Sequence, residues 1–407
     1  MPRLRSVFAL AFAVITALAP AGAASPPPAK IVLGDEVFLR EAWRDLHGRC
    51  VGVITNQTGV TSALESVVDA IRHNPSICIK AIYAPEHGFR GDRSAGSAVA
   101  SYTDPATGLP VYSLYGATRH PTAAMLSGVD VLLFDIQDVG DRAYTYISTM
   151  AYAMEAAKEF GKEIWILDRP NPIGGAVEGP VLDPHFASFI GLYPIAVRHG
   201  MTVGELARLF NDRFGIGAKL RVITMRGYSH DMLWPDTGLQ WVQTSPNIPT
   251  WETAVVYPAT GLLDYAGVNN GTGTAKPFFF AGGYGVNPHE LARALDARGI
   301  PGVAFRAAYW TPTSGFWKDK VLGGVELMVF DPRTFPAVRT GVEILTAMRA
   351  LEPSWLSIEP AELDRDWGTD ALRLQLQSGA SASEIVESWQ PAVRTFETLR
   401  TRYLLYP

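Results

Sequence analysis

AIYAPEHGFRG, residues 81–91, closes an apolar run that begins at Ile77 and carries Glu86, His87 and Arg90 into a loop flanked by glycines. A run of about eight apolar residues halted by Pro85 has the length and composition of a buried strand. Chemistry-bearing side chains just past a strand's carboxyl end are characteristic of open parallel sheets, in which ligands occupy the crevice beyond the strand ends. A carboxylate, an imidazole and a guanidinium would then converge on one ligand. On this stretch alone a plainer arrangement stays open, with Glu86 and Arg90 as a solvated ion pair and His87 capping a turn.

Outward from this stretch the same rhythm repeats. Cys50–Thr55 reads as a strand followed by the turn Asn56–Gly59, and residues 62–73 as an amphipathic helix. Val111–Leu114 is a short strand, 121–127 a helix, Asp130–Ile136 a strong strand, 145–160 a helix and Glu163–Leu167 another strand. A helix at 202–214 and a strand at 219–225 complete the series. Strand and helix alternating in this way predict an α/β fold, a Rossmann-like doubly wound and mainly parallel sheet with right-handed crossovers. Glu86, Asp135, Asp138, Asp168 and Arg169 all fall at strand ends and should share one rim. Beyond about residue 228 the pattern changes to tryptophans among prolines, and then to helices and strands that predict a second, smaller α+β domain. The expected boundaries are a linker at 25–35, the Rossmann-like domain at 36–239, and a domain at 240–407 that closes a cleft over it.

With 407 residues, 47% hydrophobic and 18% charged, the chain is a globular core-former. A net charge of −5 supplies no basic footprint for nucleic acid. Residues 1–24 have the form of a cleavable signal peptide: Arg3 and Arg5, an apolar stretch from Val7 to Leu18, then Ala21-Gly22-Ala23. That predicts export to the periplasm, with no membrane insertion after cleavage. The two cysteines, Cys50 and Cys78, each open a strand, so a disulfide between neighbouring strands is open to them; buried free thiols are the favoured expectation.

Several carboxylates on one rim suit glycoside hydrolysis, which needs one acid for the leaving oxygen and a second carboxylate as base or nucleophile. Aromatic side chains such as Tyr112, Tyr115, Tyr144 and Tyr146 lie near the strand ends, where sugar faces could stack. The same groups, Glu86, His87, Asp135 and Asp138, could instead bind a cation, although no HExxH or paired-histidine spacing is present. No GxSxG elbow and no GxGxxG fingerprint appear, so neither a serine hydrolase nor a dinucleotide is indicated, and no cofactor is expected.

Several stretches, taken together, resemble the exo-β-N-acetylmuramidase (NamZ-type) family of glycoside hydrolases. They are VGVITNQTGV at 51–60, APEHGFRGD at 84–92, LPVYSLYG at 109–116, DVLLFDIQDVGDRAYTYISTMAYAMEAA at 130–157, ILDRPNPIGGAVEGP at 166–180, SFIGLYPIAVRHGMTVGELA at 188–207, SPNIPT at 245–250 and YPATGLLD at 257–264. The resemblance implies removal of terminal N-acetylmuramic acid from the non-reducing ends of peptidoglycan fragments, as in cell-wall recycling, and a Rossmann-like domain joined to a smaller α/β domain with the active site between them. It also makes Glu86 the leading catalytic candidate. One departure stands out. Where relatives continue from YPxTxLLE into SEGRGT, this chain has Asp264 and then Asn269-Asn270-Gly271-Thr272-Gly273-Thr274, so a carboxylate and an arginine are missing at Asn270 and Thr272.

Glu86 is therefore expected as the general acid, with His87 orienting it and Asp135 or Asp138 as the second carboxylate, ahead of Glu178. For an anionic sugar the candidate ligands are Arg90, Arg142, Arg169 and Arg198, because a guanidinium fork matches a carboxylate. Asn56, Asn247, Tyr112, Tyr144, Glu178 and Lys276 complete the expected binding set, with muropeptides or other N-acetylmuramic-acid-containing saccharides as the partners. Two other classes stay open: a catalytically silent muropeptide-binding protein, favoured by the altered 269–274 loop, and a metal-dependent hydrolase.

Overall fold

The computed structural model describes residues 31–407. The expected signal segment and the first part of the linker lie outside the described residues. The rest of that linker is no linker. Ile31 and Leu33 are buried, Val32 bridges to Arg226, and helix α1 (Gly34–Arg40) begins at once, with Asp35 in the interior. Gly34 is required here because a Cβ would lie 2.2 Å from the Asp168 backbone nitrogen.

Strand β1 (Cys50–Thr55) is followed by helix α2 (Val67–Arg72), strand β2 (Cys78–Ala84), the short β3 (Tyr102–Thr103), β4 (Pro110–Ser113) and β5 (Val131–Asp135). Helix α3 (Tyr146–Glu159), β6 (Glu163–Leu167), the hairpin of β7 (Glu178–Val181) and β8 (Ala196–Arg198), α4 (Val203–Asp212) and β9 (Lys219–Ile223) follow. One sheet takes seven of these strands in the order β3-β4-β2-β1-β5-β6-β9. All neighbours are parallel except the edge strand β3. Without that edge strand the order is the Rossmann order, and its reversal falls between β1 and β5. The expected helix at 121–127 is instead a run of turns.

Apolar runs bury the central strands β1, β5, β6 and the carboxyl half of β2 on both faces, as a doubly wound sheet demands. One layer gathers Phe38, Val68, Ile71 and Trp165 beneath α1 and α2. The other joins Leu132, Phe134 and Ile166 to α3 and α4, and it runs without a break into the second half of the chain. Thr202 and Glu205 form a reciprocal capping box that starts α4 at a defined residue.

The second part contains α5 (Trp251–Thr260), an antiparallel sheet in the order β10-β12-β11, and helices that cover one of its faces. Its strands are β10 (Phe280–Gly283), β11 (Val303–Trp310) and β12 (Leu322–Val329), and its further helices are α6 (Pro288–Asp296), α7 (Ala337–Leu351), α8 (Pro360–Trp367), α9 (Ala371–Ser378) and α10 (Ala382–Arg400). The fold class is thus the α/β one that the sequence pattern predicts, with a smaller α+β part. The end of the chain then returns to the first sheet, where the Tyr406 hydroxyl donates to Asp168 Oδ2 at 2.6 Å.

The cysteines are joined, against the favoured expectation of free thiols. Cys50 and Cys78 stand opposite one another where β1 meets β2, with Cα atoms 4.5 Å apart, and they form a disulfide. Register decides the matter, and register is a long-range property invisible in the spacing.

Candidate active site

At the end of β2 the chain turns through Pro85, with the Gly88 amide donating to the Pro85 carbonyl at 3.0 Å. His87, Gly88 and Gly91 all have left-handed backbone, and for His87 (φ 69°) that conformation costs on the order of 1–3 kcal/mol. A Cβ at Gly91 would also lie 2.3 Å from Gln57 Cδ in the loop after β1, so that side chain would have to move aside. The loops that follow β1 and β2 are thereby packed on each other.

This turn presents Glu86, which is nearly buried and held at both oxygens. The Gly96 amide donates to Oε1 at 2.9 Å, and the Thr145 hydroxyl donates to Oε2 at 2.7 Å. His87 does not orient it. The His87 Nδ1 faces the Arg93 carbonyl at 2.8 Å, so the imidazole braces its own loop. Thr145 immediately precedes α3, and its neighbours point to the same place: the Tyr144 hydroxyl donates to Thr244 Oγ1 at 2.8 Å, and the Tyr146 hydroxyl donates to the Thr244 carbonyl at 2.5 Å. Gln57 Nε2 reaches the carbonyls of Gln243 and Thr244 at 2.9 and 3.1 Å. From the second part of the molecule, Tyr257 on α5 meets the Tyr144 ring edge-on at 5.9 Å. Burial raises all three phenols, and the charge of Glu86 adds to the effect in each.

Beside this carboxylate lies an aromatic row. The Tyr115 phenol is pushed up by burial and then by the charge of nearby Glu86. Its ring lies 5.9 Å from Phe189, Phe189 lies 5.6 Å from Tyr152, and Tyr152 stacks on His120 at 3.8 Å. The Arg119 guanidinium sits over Tyr115 and Phe189, at 5.2 and 4.1 Å from the ring centroids.

Near the strand-order reversal, Asn56, Asp138 and His199 each carry a buried polar atom that has no hydrogen-bond partner among the described residues. Asn56 fixes its Oδ1 on the Thr58 amide and hydroxyl, at 2.9 and 2.6 Å, and leaves Nδ2 free. Asp138 Oδ2 accepts from the Gly140 amide at 2.8 Å, while Oδ1 is buried and unpaired. His199, wholly buried, accepts from the Met201 amide on Nδ1, so the proton is on Nε2, which points toward Asp138 Oδ2 from 3.7 Å. Buried groups left unpaired are costly, and a clustered set of them marks a place where a ligand completes the bonding.

Other expected site residues have structural tasks. Asp135 is fully buried with both oxygens on Arg169 (2.6 and 3.0 Å), and Arg169 also binds Asp35 at 3.0 Å and the Val60 carbonyl. This triad braces the sheet and leaves Asp135 nothing for a ligand. Asp168 does not pair with the Arg169 side chain; it accepts from Thr202, Gly204 and Tyr406. Arg142 is buried and spends its guanidinium on the carbonyls of Pro180, Ile195, Asp366 and Trp367. Arg198 pairs with Glu178 at 2.6 Å inside the β7–β8 hairpin, and Arg90 forks onto Asp104 at 2.9 Å. Tyr112 packs on Tyr83 at 5.8 Å, and Asn247 is half-buried in the turn beyond Thr244. Lys276 binds Glu326 at 2.5 Å in a separate cleft of about 720 Å³. Among the described residues no three His, Cys, Asp or Glu side chains are gathered as a metal site would need.

The altered loop is closed on itself. Asn270 is buried, its Oδ1 accepting from the Thr272 amide and hydroxyl at 3.2 and 2.7 Å, so the residues at the two departing positions bond to one another. Thr145, Tyr115, Tyr257 and Thr244 were not legible as site residues with assigned roles, since each acts through a partner at least 29 positions away in the chain.

A carboxylate held by two donors at the rim of a parallel sheet, with an aromatic row on one side and unpaired polar atoms beyond, defines a hydrolytic enzyme of the glycosidase type. Residues 51–252 match the model for exo-β-N-acetylmuramidase NamZ, N-terminal, and residues 255–406 the model for its C-terminal part. The chain is 46% identical over 379 residues to the peptidoglycan β-N-acetylmuramidase NamZ of Bacillus subtilis (strain 168), covering 93% of this chain and 92% of that one. A crystal structure of a DUF1343 family protein from Bacteroides fragilis NCTC 9343 superposes with a TM-score of 0.87 at 37% identity, covering 93% of this chain and 99% of that one. A second one from the same organism gives 0.73 at 28% identity with the same coverage. This chain belongs to the NamZ family of exo-β-N-acetylmuramidases.

Proposed function

We propose that this protein is an exo-acting glycosidase that removes terminal β-N-acetylmuramic acid from peptidoglycan fragments, with Glu86 as the general acid. The observation that carries the assignment is the fixed carboxylate: both Glu86 oxygens are positioned, by Gly96 and Thr145, at the place where the loops after β1, β2 and β5 meet α5. Glu86 gives its proton to the glycosidic oxygen as the bond to the anomeric carbon breaks, and water adds to that carbon. The Thr145 hydroxyl can donate to the carboxylate or turn to accept from the acid, so it serves both states. Asp138, with one buried oxygen unpaired, is the better second carboxylate, because Asp135 is consumed by Arg169. Asn56 Nδ2, buried and without a partner among the described residues, suits an acceptor oxygen on the sugar.

The Cys50–Cys78 disulfide and the signal-like N-terminus support export to an oxidising compartment such as the periplasm. Release of muramic acid from a chromogenic β-N-acetylmuramide, compared with the matching β-N-acetylglucosaminide, tests the activity. Glu86→Gln should lower the muramide rate by at least about a hundredfold, as expected for loss of a general acid. A fully active Glu86→Gln protein would move the proton donor elsewhere.

A further inference from the structure

We infer that Arg119 is the residue that recognises the carboxylate of the sugar, and so sets the preference for a muramic acid residue over a plain N-acetylglucosamine. The inference rests on the glycosidase reading above, since muramic acid differs from glucosamine by an O-linked lactyl group with its own carboxylate. A site that prefers it needs a cation near the catalytic carboxylate that is not already neutralised. The arginines near the rim fail that condition: Arg169 is spent on Asp35 and Asp135, Arg198 on Glu178, Arg90 on Asp104, and Arg142 on four carbonyls.

Arg119 meets it. No Asp or Glu among the described residues forms an ion pair with it, and Glu155, whose charge reaches the same Tyr152 ring, is engaged by His120 at 3.8 Å and the Tyr193 hydroxyl at 3.1 Å. Its guanidinium is not loose, however. It lies on the faces of Tyr115 and Phe189 at 5.2 and 4.1 Å, and Tyr115 is close enough to Glu86 for its phenol to be raised by that charge. One tyrosine therefore neighbours both the unpaired cation and the proton donor. Stacking leaves the guanidinium edge, with its N–H donors, open to a carboxylate fork. The Tyr115–Phe189–Tyr152 row, its successive rings tilted by 45° and 34°, bounds this cation with aromatic surface.

The experiment crosses an enzyme change with a substrate change. The rates of wild type and Arg119→Met are measured on a chromogenic β-N-acetylmuramide with its lactyl acid free and with the same group as the methyl ester. In the wild type the ester should lower kcat/KM by about tenfold or more, the size of one charge-assisted bond. In Arg119→Met the acid and the ester should be cleaved within about twofold of each other, and Arg119→Lys should restore part of the difference. An equal cost of the ester in both proteins would overturn the assignment, as would a wild type indifferent to the ester. The glycosidase reading fails differently, by a wild type that cleaves neither form or by a fully active Glu86→Gln protein.

Discussion

Thr145→Val tests whether the catalytic carboxylate is held by a side chain outside its own loop. Valine keeps the β-branched shape of threonine and deletes only the hydroxyl. That hydroxyl lies 2.7 Å from Glu86 Oε2, and a charge-assisted bond of this kind contributes about 1.5–3 kcal/mol. If the transition state loses that amount, kcat falls by about ten- to a hundredfold. Substrate binding draws on the crevice and the aromatic row, so KM should stay within about threefold. Thr145 occupies the N-cap of α3 without making a capping bond, so the helix itself loses nothing, and the cost in stability is that of the donor removed from a nearly buried carboxylate, about 1–3 kcal/mol. Thr145→Ser keeps the hydroxyl and should recover most of the rate. Steady-state kinetics on the chromogenic muramide, with urea titration of each variant, separates these effects. A Val variant with wild-type kcat would refute the positioning argument, and a rate loss matched by an equal loss of folded protein would reduce it to a packing effect.

Arg169→Met should destabilise the fold by about 3–5 kcal/mol, because it strands Asp35 and Asp135 as unpaired buried carboxylates; changing both aspartates to asparagine in that background should recover part of the loss in a urea titration. Reducing the Cys50–Cys78 bond, or replacing both cysteines by alanine, opens a loop spanning 28 positions and should cost about 3–4 kcal/mol, read from the denaturation midpoint together with the slope, which should rise as the unfolded chain becomes less compact. Burial pushes Asp141, Asp264 and Asp366 up to about 7 in the folded protein, from an ordinary value of 3.8. Because the folded value is the higher one, their contribution is fully present below about pH 4 and is lost as the pH rises through about 7, so the urea midpoint should fall between pH 5 and pH 8; a midpoint that rises over that interval would contradict the assignment.

The centre of the sheet was legible because β1, β5, β6 and the carboxyl half of β2 are buried on both faces, and continuous apolar runs ending in Pro, Asn or Asp report that condition locally. β6 matches its predicted bounds of Glu163–Leu167, and β2 and β5 lie within a residue of theirs. What escaped was everything decided by partners far along the chain. The hairpin β7–β8 was not foreseen because its residues, Glu178–Val181 and Ala196–Arg198, are too few to show a period. The prolines at 26–28 suggest a linker over 25–35, yet Ile31 and Leu33 are buried in an apolar cluster with Met225, Tyr228 and Tyr406, the last of them near the opposite terminus.

The arginines show the same division more sharply. Sequence places Arg90, Arg142, Arg169 and Arg198 near strand ends, and position near a rim is a fair sign of proximity to a ligand. It says nothing of whether the charge is still available. Burying a guanidinium is costly unless most of its donors are bonded, so the arginines drawn furthest into the fold are the ones whose charge is already used. Arg142, spent on four carbonyls, and Arg169, clamped between two carboxylates, are the extreme cases. Arg119 carries no motif of its own and stays exposed, yet its stacking on Tyr115 and Phe189 orders it without neutralising it. For recognition of an anion, the residue to look for is therefore the cation fixed by something other than a carboxylate.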